Sequence, residues 1–488
     1  MSQVETELKY EADDAAGGPP TPEGLHVVDD CDTVLNATYW DSREHLLLDW
    51  GITLRHRTAE DGSEHEWTLK VPVAKAGRGT SRREISTDGP PDHPPADLAH
   101  LIASIVSQDE LGPVAELRTR RRIQVLGRNG GPSVVEMTDD RVEVVTENGS
   151  APFREFEAEL LDPADARALV QIERCWRKAG LRPSAGSKLH QALGGPRTNR
   201  RPPDRRSSTG TFVSHFIETG RRQLLENELR LRVEPGSTEP VHQARVATRR
   251  LRANLRTFRR MLDRTTTDHL RGELKWIGRL LGEVRDVQVR AQRLRKLTEQ
   301  ERLSGTGLEE LEEVGVSATE GAERNLLSAL DGDRYRHLIT DLRLAVETPP
   351  VRDADQPVRP EVQRALRKRW KRIRGEVSAL DDPPEDAALH EVRKHVKALR
   401  YGLQAAKPLR VTAPDLVEGL GVLQDRLGDL HDTVVIRSWI ATNRDRLDGD
   451  AAFLAGQLDH TLATLHGELR RTWRDDWAAI HRQRVPRR

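Results

Sequence analysis

Strand-like segments with a charged residue at every second position dominate the first part of this chain. The earliest is Val4–Lys9, in which Glu5, Glu7 and Lys9 are spaced two residues apart. Successive side chains of a β-strand point to opposite faces, so these three charges share one face and the apolar residues between them share the other. A fold built from such strands must give each of them one polar side and one apolar side.

The same alternation recurs in later segments, and single strands carry charges of one sign. Charged residues alternate in Leu54–Arg57, Glu66–Lys70, Arg82–Ser86, Leu117–Ile123, Val135–Asp140 and Phe153–Leu160. Like charges gain nothing from being grouped on a solvated face, although such a face is the ordinary explanation of charged alternation. A closed barrel would place the arginines of one strand opposite the acids of another across a shared interior. The pattern therefore favours a polar tunnel.

The composition changes character about two fifths of the way along the chain. Glycine and proline clusters divide residues 1–195 into short strands, interrupted by helical periodicity at Ala96–Ser107 and Ala164–Gly180, so an α+β unit is predicted. Pro196–Gly210 is rich in proline and arginine and is predicted to be a linker. Residues 211–483 are rich in leucine, alanine, arginine and glutamate and predict an all-α unit.

The helical unit contains two copies of one pattern, separated by the interruption Pro349–Pro360. The matched motifs are His242–Arg252 with His390–Arg400, and Leu281–Asp286 with Leu427–Asp432. Because both pairs recur at nearly the same separation, we predict a duplicated helical bundle. Its repeats span about 211–348 and 360–483, with about four helices in each.

Basic residues in the first motif of each copy lie on one side of a helix. They are His242, Arg245, Arg249 and Arg252 in the first copy and His390, Arg393, Lys397 and Arg400 in the second. A solvated helix face is the ordinary explanation of one such stripe. Recurrence in both copies favours an anion-binding surface, because like charges four residues apart destabilise a helix unless an anion neutralises them.

The order of charged strands resembles the CYTH family of triphosphate tunnel metalloenzymes over residues 1–195. The Glu5-x-Glu7-x-Lys9 motif at the start carries the resemblance, and Lys188 matches a late lysine of the family. The resemblance implies an eight-stranded antiparallel barrel around the active site. The cations expected to bind a triphosphate, which carries about four negative charges, are Lys9, Arg55, Arg57, Lys70, Arg82, Arg118, Arg120 and Lys188.

The same resemblance implies a divalent cation, Mg²⁺ or Mn²⁺, held by carboxylates. The candidate ligands are Glu5, Glu7, Glu136, Asp140, Glu155, Glu157 and Glu159, of which Glu5, Glu7, Glu157 and Glu159 are preferred. A one-residue bulge would put Asp139 in the place of Asp140. Glu66 and Glu84 share strand faces with Lys70 and Arg82, and we interpret them as partners of these cations rather than as ligands.

The matched helical motifs resemble the CHAD family over Thr211–Gln483. This family commonly follows CYTH domains and implies polyphosphate binding on a basic surface. The residues that match are His242, Arg245, Arg249, Arg252, His390, Arg393, Lys397 and Arg400, and Lys275 is a further candidate. Long-chain polyphosphate is therefore the expected partner of this unit.

Together these patterns predict a metal-dependent triphosphatase joined to a polyphosphate-binding unit. Its expected substrates are inorganic triphosphate or a nucleoside or thiamine triphosphate. Two alternatives remain: an adenylate cyclase that uses the same tunnel, and a non-catalytic polyphosphate-binding protein associated with polyphosphate granules. The formal net charge is zero, and the chain has two cysteines and no long apolar run or visible signal peptide. A cytoplasmic protein is expected, with neither membrane nor nucleic acid as partner.

Overall fold

The computed structural model forms two compact units, Met1–Arg200 and Arg201–Arg488. It describes residues 2–14, 16–62, 65–73, 80–128, 131–145, 151–161, 165–184, 186–195, 201–300, 306–316, 319–411, 414–447 and 449–483. Among these residues, none of the helices combines the length and hydropathy needed to span a lipid bilayer.

The first unit is a closed antiparallel β-barrel. Its described strands are β1 (Ser2–Ala12), β2 (His26–Asp41), β3 (Thr53–Ala59), β4 (His65–Pro72), β5 (Thr80–Thr87), β6 (Gly112–Gly127), β7 (Ser133–Val145) and β8 (Phe153–Leu160). They are paired in the order β5-β4-β3-β2-β6-β7-β8-β1, and β1 pairs again with β5. The short strand β9 (Arg182–Pro183) adds to β1. The predicted eight-stranded antiparallel barrel is confirmed.

Strand β1 closes the barrel because it uses its two halves on opposite edges. Ser2–Glu7 pairs with β5, and Glu7–Ala12 pairs with β8. The charged face of β1 therefore lies next to the charged faces of both neighbours, which no open sheet would achieve for its two edge strands.

The described helices of this unit are α1 (Leu46–Asp49), α2 (Ala96–Ile102), α3 (Ala166–Lys178) and α4 (Lys188–Leu193). Helix α3 covers part of the outer face of the barrel, where the alternation places apolar residues. Helix α3 packs Ile172 and Trp176 against Tyr10 of β1 and Phe156 of β8, all fully buried. Burial of such large apolar side chains contributes about 2 to 3 kcal/mol each to stability. Packing against α3 therefore fixes the apolar face of β1 and β8 on the outside of the barrel.

Helix α4 packs against the inner face. Ser187 caps it by accepting a hydrogen bond from the backbone N–H of His190. Leu189 and Ala192 contact a group of inward-facing residues that includes Tyr39 of β2 and Leu117 of β6. Part of the barrel interior is therefore apolar, although the rest is strongly charged.

The second unit is all-α. Its described helices are α5 (Thr209–Val233), α6 (Thr238–Thr257), α7 (Arg264–Gln300), α8 (Thr306–Val316), α9 (Thr319–Asp331), α10 (Asp333–Glu347), α11 (Val358–Ser378), α12 (Asp386–Ala405), α13 (Pro414–Asn443) and α14 (Gly449–Ile480). The predicted C-terminal helical unit is confirmed. The second repeat has the expected four described helices. The first has six, because its last part is divided into α8, α9 and α10.

The end of the predicted linker 196–210 belongs to this helical unit. Helix α5 begins at Thr209, and the side chain of Ser208 caps it. Thr209 is buried and donates hydrogen bonds from its backbone N–H and its hydroxyl to the carbonyl of Gln356, both at 2.9 Å. The serine cap is the local signal for this earlier start. Pro196–Arg200 lie outside the described residues.

Packing between the repeats brings the two matched basic motifs together. Helix α6 carries the first motif and α12 carries the second, and these two helices contact each other. Gly402 of α12 lies against Thr257 and Phe258 at the end of α6, so closely that a Cβ atom at Gly402 would come within 3.3 Å of the Thr257 side chain. The two stripes therefore lie in one region of the unit.

Candidate active site and anion-binding surface

The barrel encloses a cavity of about 320 Å³ whose lining is almost entirely charged or polar. Its basic side chains are Lys9, Arg55, Arg57, Lys70, Arg82, Arg121 and Lys188. Its acidic side chains are Glu5, Glu7, Glu66, Glu84, Glu136, Glu157 and Glu159. The structure thus brings most of the sequence-predicted residues into one enclosed space, with both signs of charge present.

Arg118 and Arg120 do not line this cavity, which corrects the prediction for β6. The Arg120 side chain is 65% exposed, and Arg118 pairs at 2.7 Å with Glu60 on the barrel surface. The inward positions of this part of β6 are instead Leu117, which packs against α4, and Arg121. The prediction assumed that every apolar residue faces outward, and the apolar layer around α4 violates that assumption.

Arg121 lines the cavity and was missed by the alternation. Its Nε and Nη2 atoms donate to both carboxylate oxygens of Asp140 at 2.8 and 2.7 Å, and Nη2 also donates to Glu157 at 3.0 Å. Arg121 is directly paired with Asp140 across β6 and β7. Directly paired residues of neighbouring strands share one face of a sheet. Because Asp140 was predicted to face inward, its pairing with Arg121 was the signal that could have placed Arg121 inside the barrel.

Lys188, which lines the cavity, occupies the centre of a buried acidic cluster. Its Nζ atom lies 2.8 Å from Asp140, 2.6 Å from Glu155 and 2.8 Å from Glu157. Oxygen atoms of these three acids are close enough together to hold a metal ion. The ammonium group already fills the space among them, so we assign the charge balance of this cluster to Lys188 and Arg121.

The pKa of Asp140 reflects this balance. Burial alone would raise it, but the charges of Arg121 and Lys188 hold the pKa below its ordinary value. Glu155 accepts a further hydrogen bond from Gln191 at 2.6 Å and is fully buried. Asp140 and Glu155 do not line the cavity, which makes them less suitable than the cavity acids as metal ligands.

Asp139 faces away from the cavity, so the bulge considered for β7 does not occur there. Its two carboxylate oxygens accept hydrogen bonds from Arg154 at 2.7 and 2.6 Å. Arg154 is buried and also donates to backbone carbonyls of residues 13, 14, 16 and 17. This pair stabilises the loop after β1 and leaves Asp140 as the inward residue.

A second group of acids in the cavity has fewer basic partners. Glu159 of β8 is directly paired with Glu7 on one side and Glu136 on the other, so three carboxylates lie in one row of the barrel wall. Burial raises the pKa of Glu159. Neighbouring carboxylates repel one another, and a divalent cation with carboxylate ligands would relieve that repulsion.

Glu5 and Glu84 interact next to this row, and their pKa values are shifted in opposite directions. Burial and the hydrogen bond with Glu84 raise the pKa of Glu5 to about 8. Burial also acts on Glu84, but its bond to Glu5 and the charge of Lys70 lower its pKa to about 2. Lys70 lies 2.7 Å from Glu5 and 3.0 Å from Glu84, and Glu66 lies 4.0 Å from Arg57. Glu84 therefore contacts Lys70, one of the two cations considered from the sequence, whereas Glu66 lies beside Arg57.

In the helical unit, the basic stripes of α6 and α12 meet around Lys397. Burial and the nearby charges of Arg249 and Arg393 lower the pKa of Lys397 to about 7. The Nε atom of Arg249 donates to the Tyr401 hydroxyl at 2.9 Å. The Nε atom of Arg393 is buried and has no hydrogen-bond partner among the described residues. Arg249, Arg393 and Lys397 thus place three basic side chains close enough for their charges to act on one another.

The other predicted basic residues lie around this centre with varied surroundings. His242 and His390 are half-buried, and Lys275 is exposed on α7. Arg245 pairs with Asp286 at 2.9 Å. Burial and the charge of Arg271 lower the pKa of Arg252, and the charge of Arg400 contributes to lowering that of Arg250. Asp432 is the residue of the second repeat that matches Asp286, but it pairs with Arg293 of α7 at 2.6 Å. Arg293 lies outside the matched motifs.

Comparison with known proteins gives matches for both units. An uncharacterized protein of Mycobacterium tuberculosis, MT2285, is 29% identical over 426 residues, which cover 83% of this chain and 81% of that protein. The CHAD domain from the plant Ricinus communis aligns with a TM-score of 0.50 and 21% identity, covering 60% of this chain and 98% of that structure. PptA from Streptomyces chartreusis aligns with a TM-score of 0.48 and 20% identity, covering 56% and 100%.

Family models assign the two units separately. The CYTH domain model matches residues 3–192, which include the barrel and its cavity. The CHAD domain model matches residues 215–441, which include both basic stripes. The chain therefore carries a CYTH domain followed by a CHAD domain.

Proposed function

We propose that the barrel is a metal-dependent triphosphatase that hydrolyses inorganic triphosphate or a triphosphate ester. The observation that carries this proposal is the cavity lined by both basic and acidic side chains. Arg55 and Arg57 of β3 and Arg82 of β5 line the same cavity and would bind phosphate oxygens through their planar guanidinium groups. An enclosed site of low dielectric strengthens these contacts and limits the access of bulk water.

The cavity acids fit a divalent cation such as Mg²⁺ or Mn²⁺. We assign it to Glu5, Glu7, Glu157 and Glu159, with Glu136 beside them, because carboxylate oxygens suit such ions and all five side chains line the cavity. Glu5, Glu7 and Glu157 also contact lysine side chains, so the metal would share these carboxylates with protein cations. When bound, the metal would neutralise phosphate charge and lower the pKa of a water molecule. Glu157 also contacts Lys9, Lys188 and Arg121, and therefore holds these cations towards the substrate.

Product analysis tests this activity directly. With Mn²⁺ or Mg²⁺ we expect the full-length protein to release orthophosphate from tripolyphosphate, and a chelator to stop the release. With ATP we expect phosphate-containing hydrolysis products. Formation of cyclic AMP would contradict hydrolysis and identify a cyclase. Metal-dependent binding of tripolyphosphate without any turnover would identify a binding protein instead.

We also propose that the CHAD domain binds long-chain polyphosphate where α6 and α12 meet. The positive charge clustered around Arg249, Arg393 and Lys397 supports this proposal. A polyanion would neutralise these groups, and its binding should weaken steeply with salt, as in counterion release from nucleic acids. Association with polyphosphate granules would follow from such binding.

Replacing Lys397 by glutamine should weaken polyphosphate binding about tenfold or more, because charge-assisted hydrogen bonds contribute about 1.5 to 3 kcal/mol each. Fluorescence anisotropy with labelled polyphosphate would measure the affinity at several salt concentrations. Lys371→Gln on α11 is the matched control, since it removes the same charge from an exposed position. Equal losses in the two variants, or equal competition by duplex DNA, would argue against a specific site.

A further inference from the structure

The two repeats differ at one matched position beside the basic stripes. The last part of the second motif has Arg285 in the first repeat and His431 in the second. His431 lies against His390, with their ring centroids 4.1 Å apart and the rings inclined by 35°. In the first repeat, burial and then the charge of Arg285 lower the pKa of His242. Each repeat therefore places a basic residue beside the histidine of its stripe. In the first repeat this residue is the permanently charged Arg285, and in the second it is the titratable His431.

Both pairs contain a buried nitrogen without a partner. The Nε atom of Arg285 and the Nδ1 atom of His390 have no hydrogen-bond partner among the described residues. A buried polar atom that is left unpaired costs about 1 to 3 kcal/mol, so such atoms usually meet an acceptor in the functional state. Phosphate oxygens would supply acceptors at both positions.

The charges around His431 keep its ring neutral in the ligand-free protein. Burial and the neighbouring ring of His390 lower the pKa of His431 to about 4. The strongest charges acting on it come from α12, namely Arg393, Lys397 and Lys394. Of the other charged side chains on the elements around it, Asp429 and Asp432 of its own helix pair with Arg293 of α7, whereas His466 and Arg470 of α14 turn towards Asp386.

We propose that Arg285 and His431 are phosphate-binding residues at matched positions of the two repeats, and that the His390–His431 pair takes up a proton from solvent when polyphosphate binds. This inference rests on the proposed polyphosphate binding. At this matched position the first repeat is then always cationic, and the second becomes cationic only with its ligand. A neutral pair also avoids part of the repulsion among bare cations in the empty site.

The sign of the pH dependence follows from linkage. A bound polyanion favours the protonated imidazole, so the complex binds more protons than the free protein. Polyphosphate affinity should therefore fall as pH rises, by up to about tenfold per pH unit for each proton taken up. Protonation of Lys397 adds a similar pH dependence of the affinity, and this contribution is the same in all variants that retain Lys397.

Reciprocal substitutions taken from the chain's own repeats test the proposal. Polyphosphate affinity of the full-length protein would be measured from about pH 6 to pH 8 at constant ionic strength. In His431→Arg we expect a pH dependence shallower by up to about tenfold per pH unit, because the permanent charge of the first repeat replaces a titrating group. In Arg285→His we expect a steeper dependence, because both repeats then titrate.

A control and a second measurement make the outcome decisive. His460→Arg places the same charge on an exposed position of α14 and should retain the slope of the unchanged protein. Calorimetry of that unchanged protein in two buffers of different ionisation enthalpy should show net proton uptake on binding. Equal slopes in all variants, or no proton uptake, would overturn the role of His431. Failure of the unchanged protein to bind polyphosphate at any pH would instead refute the polyphosphate proposal on which this inference rests.

Discussion

Replacing Glu7 by glutamine should reduce metal-dependent phosphate release from tripolyphosphate by about three orders of magnitude or more. The substitution keeps the size of the side chain but removes a carboxylate from the row that Glu7 forms with Glu159 and Glu136. Stabilisation of transition-state charge by a metal is worth several kcal/mol, and each 1.36 kcal/mol corresponds to a factor of ten in rate. Steady-state phosphate release at saturating tripolyphosphate would measure the effect.

Stability separates a lost ligand from a damaged fold. Glu7 is buried beside two other acids and 3.0 Å from Lys9, which keeps Glu157 as a second partner, so its neutralisation should change the melting temperature little. Glu11→Gln is the matched control, because Glu11 lies on the same strand but is exposed. Turnover by Glu7→Gln within about threefold of the unchanged protein would remove Glu7 from the metal site. The same replacement at Glu5 should give a similar loss.

Replacing Arg121 by methionine should both abolish activity and destabilise the barrel by about 3 to 5 kcal/mol. The change leaves Asp140, whose side chain is 0% exposed, and Glu157 without a guanidinium partner. Removal of one partner from a buried ion pair costs this much because the remaining charge cannot be solvated. For a unit of about 200 residues, the melting temperature should fall by about 10 °C, which calorimetry would detect.

Arg120→Met is the internal comparison, since it makes the same chemical change one residue earlier on β6. Arg120 is mostly exposed and lies 4.0 Å from Glu143, and surface ion pairs of this kind contribute little. We expect its stability to change by less than about 0.5 kcal/mol and its turnover to remain. If instead Arg120→Met were inactive and Arg121→Met active, the inward face of β6 would be assigned wrongly.

Much of the barrel could be predicted because its signal is local. Alternation in β1, β3, β4, β5 and β8 puts charges on one strand face, and in each of these strands that face lines the cavity. The rule failed at β6, where Leu117 faces inward against α4 and Arg121 rather than Arg120 enters the cavity. A strand with an apolar residue on each face has no unique orientation by alternation alone.

In the helical unit, too, the local pattern could be predicted from the sequence and the packing of distant helices could not. The spacing of His242 and Arg245, and of His390 and Arg393, follows from the helical period and was visible in the chain. That α6 and α12 would pack together, and so join both stripes around Lys397, depends on side chains far apart in the sequence. The extra helices of the first repeat had no comparable signal, because no motif there is repeated.

The amino-acid sequence determined which residue types share a face, because periods of two and of 3.6 residues are properties of neighbouring positions. It also determined that one helical pattern occurs twice. Only the tertiary structure decided which face of β6 points inward, which acids are already neutralised by Lys188, and where the two stripes meet. These outcomes depend on the space left by α4 and on the partners available to each buried charge, and both are set by residues distant in the chain.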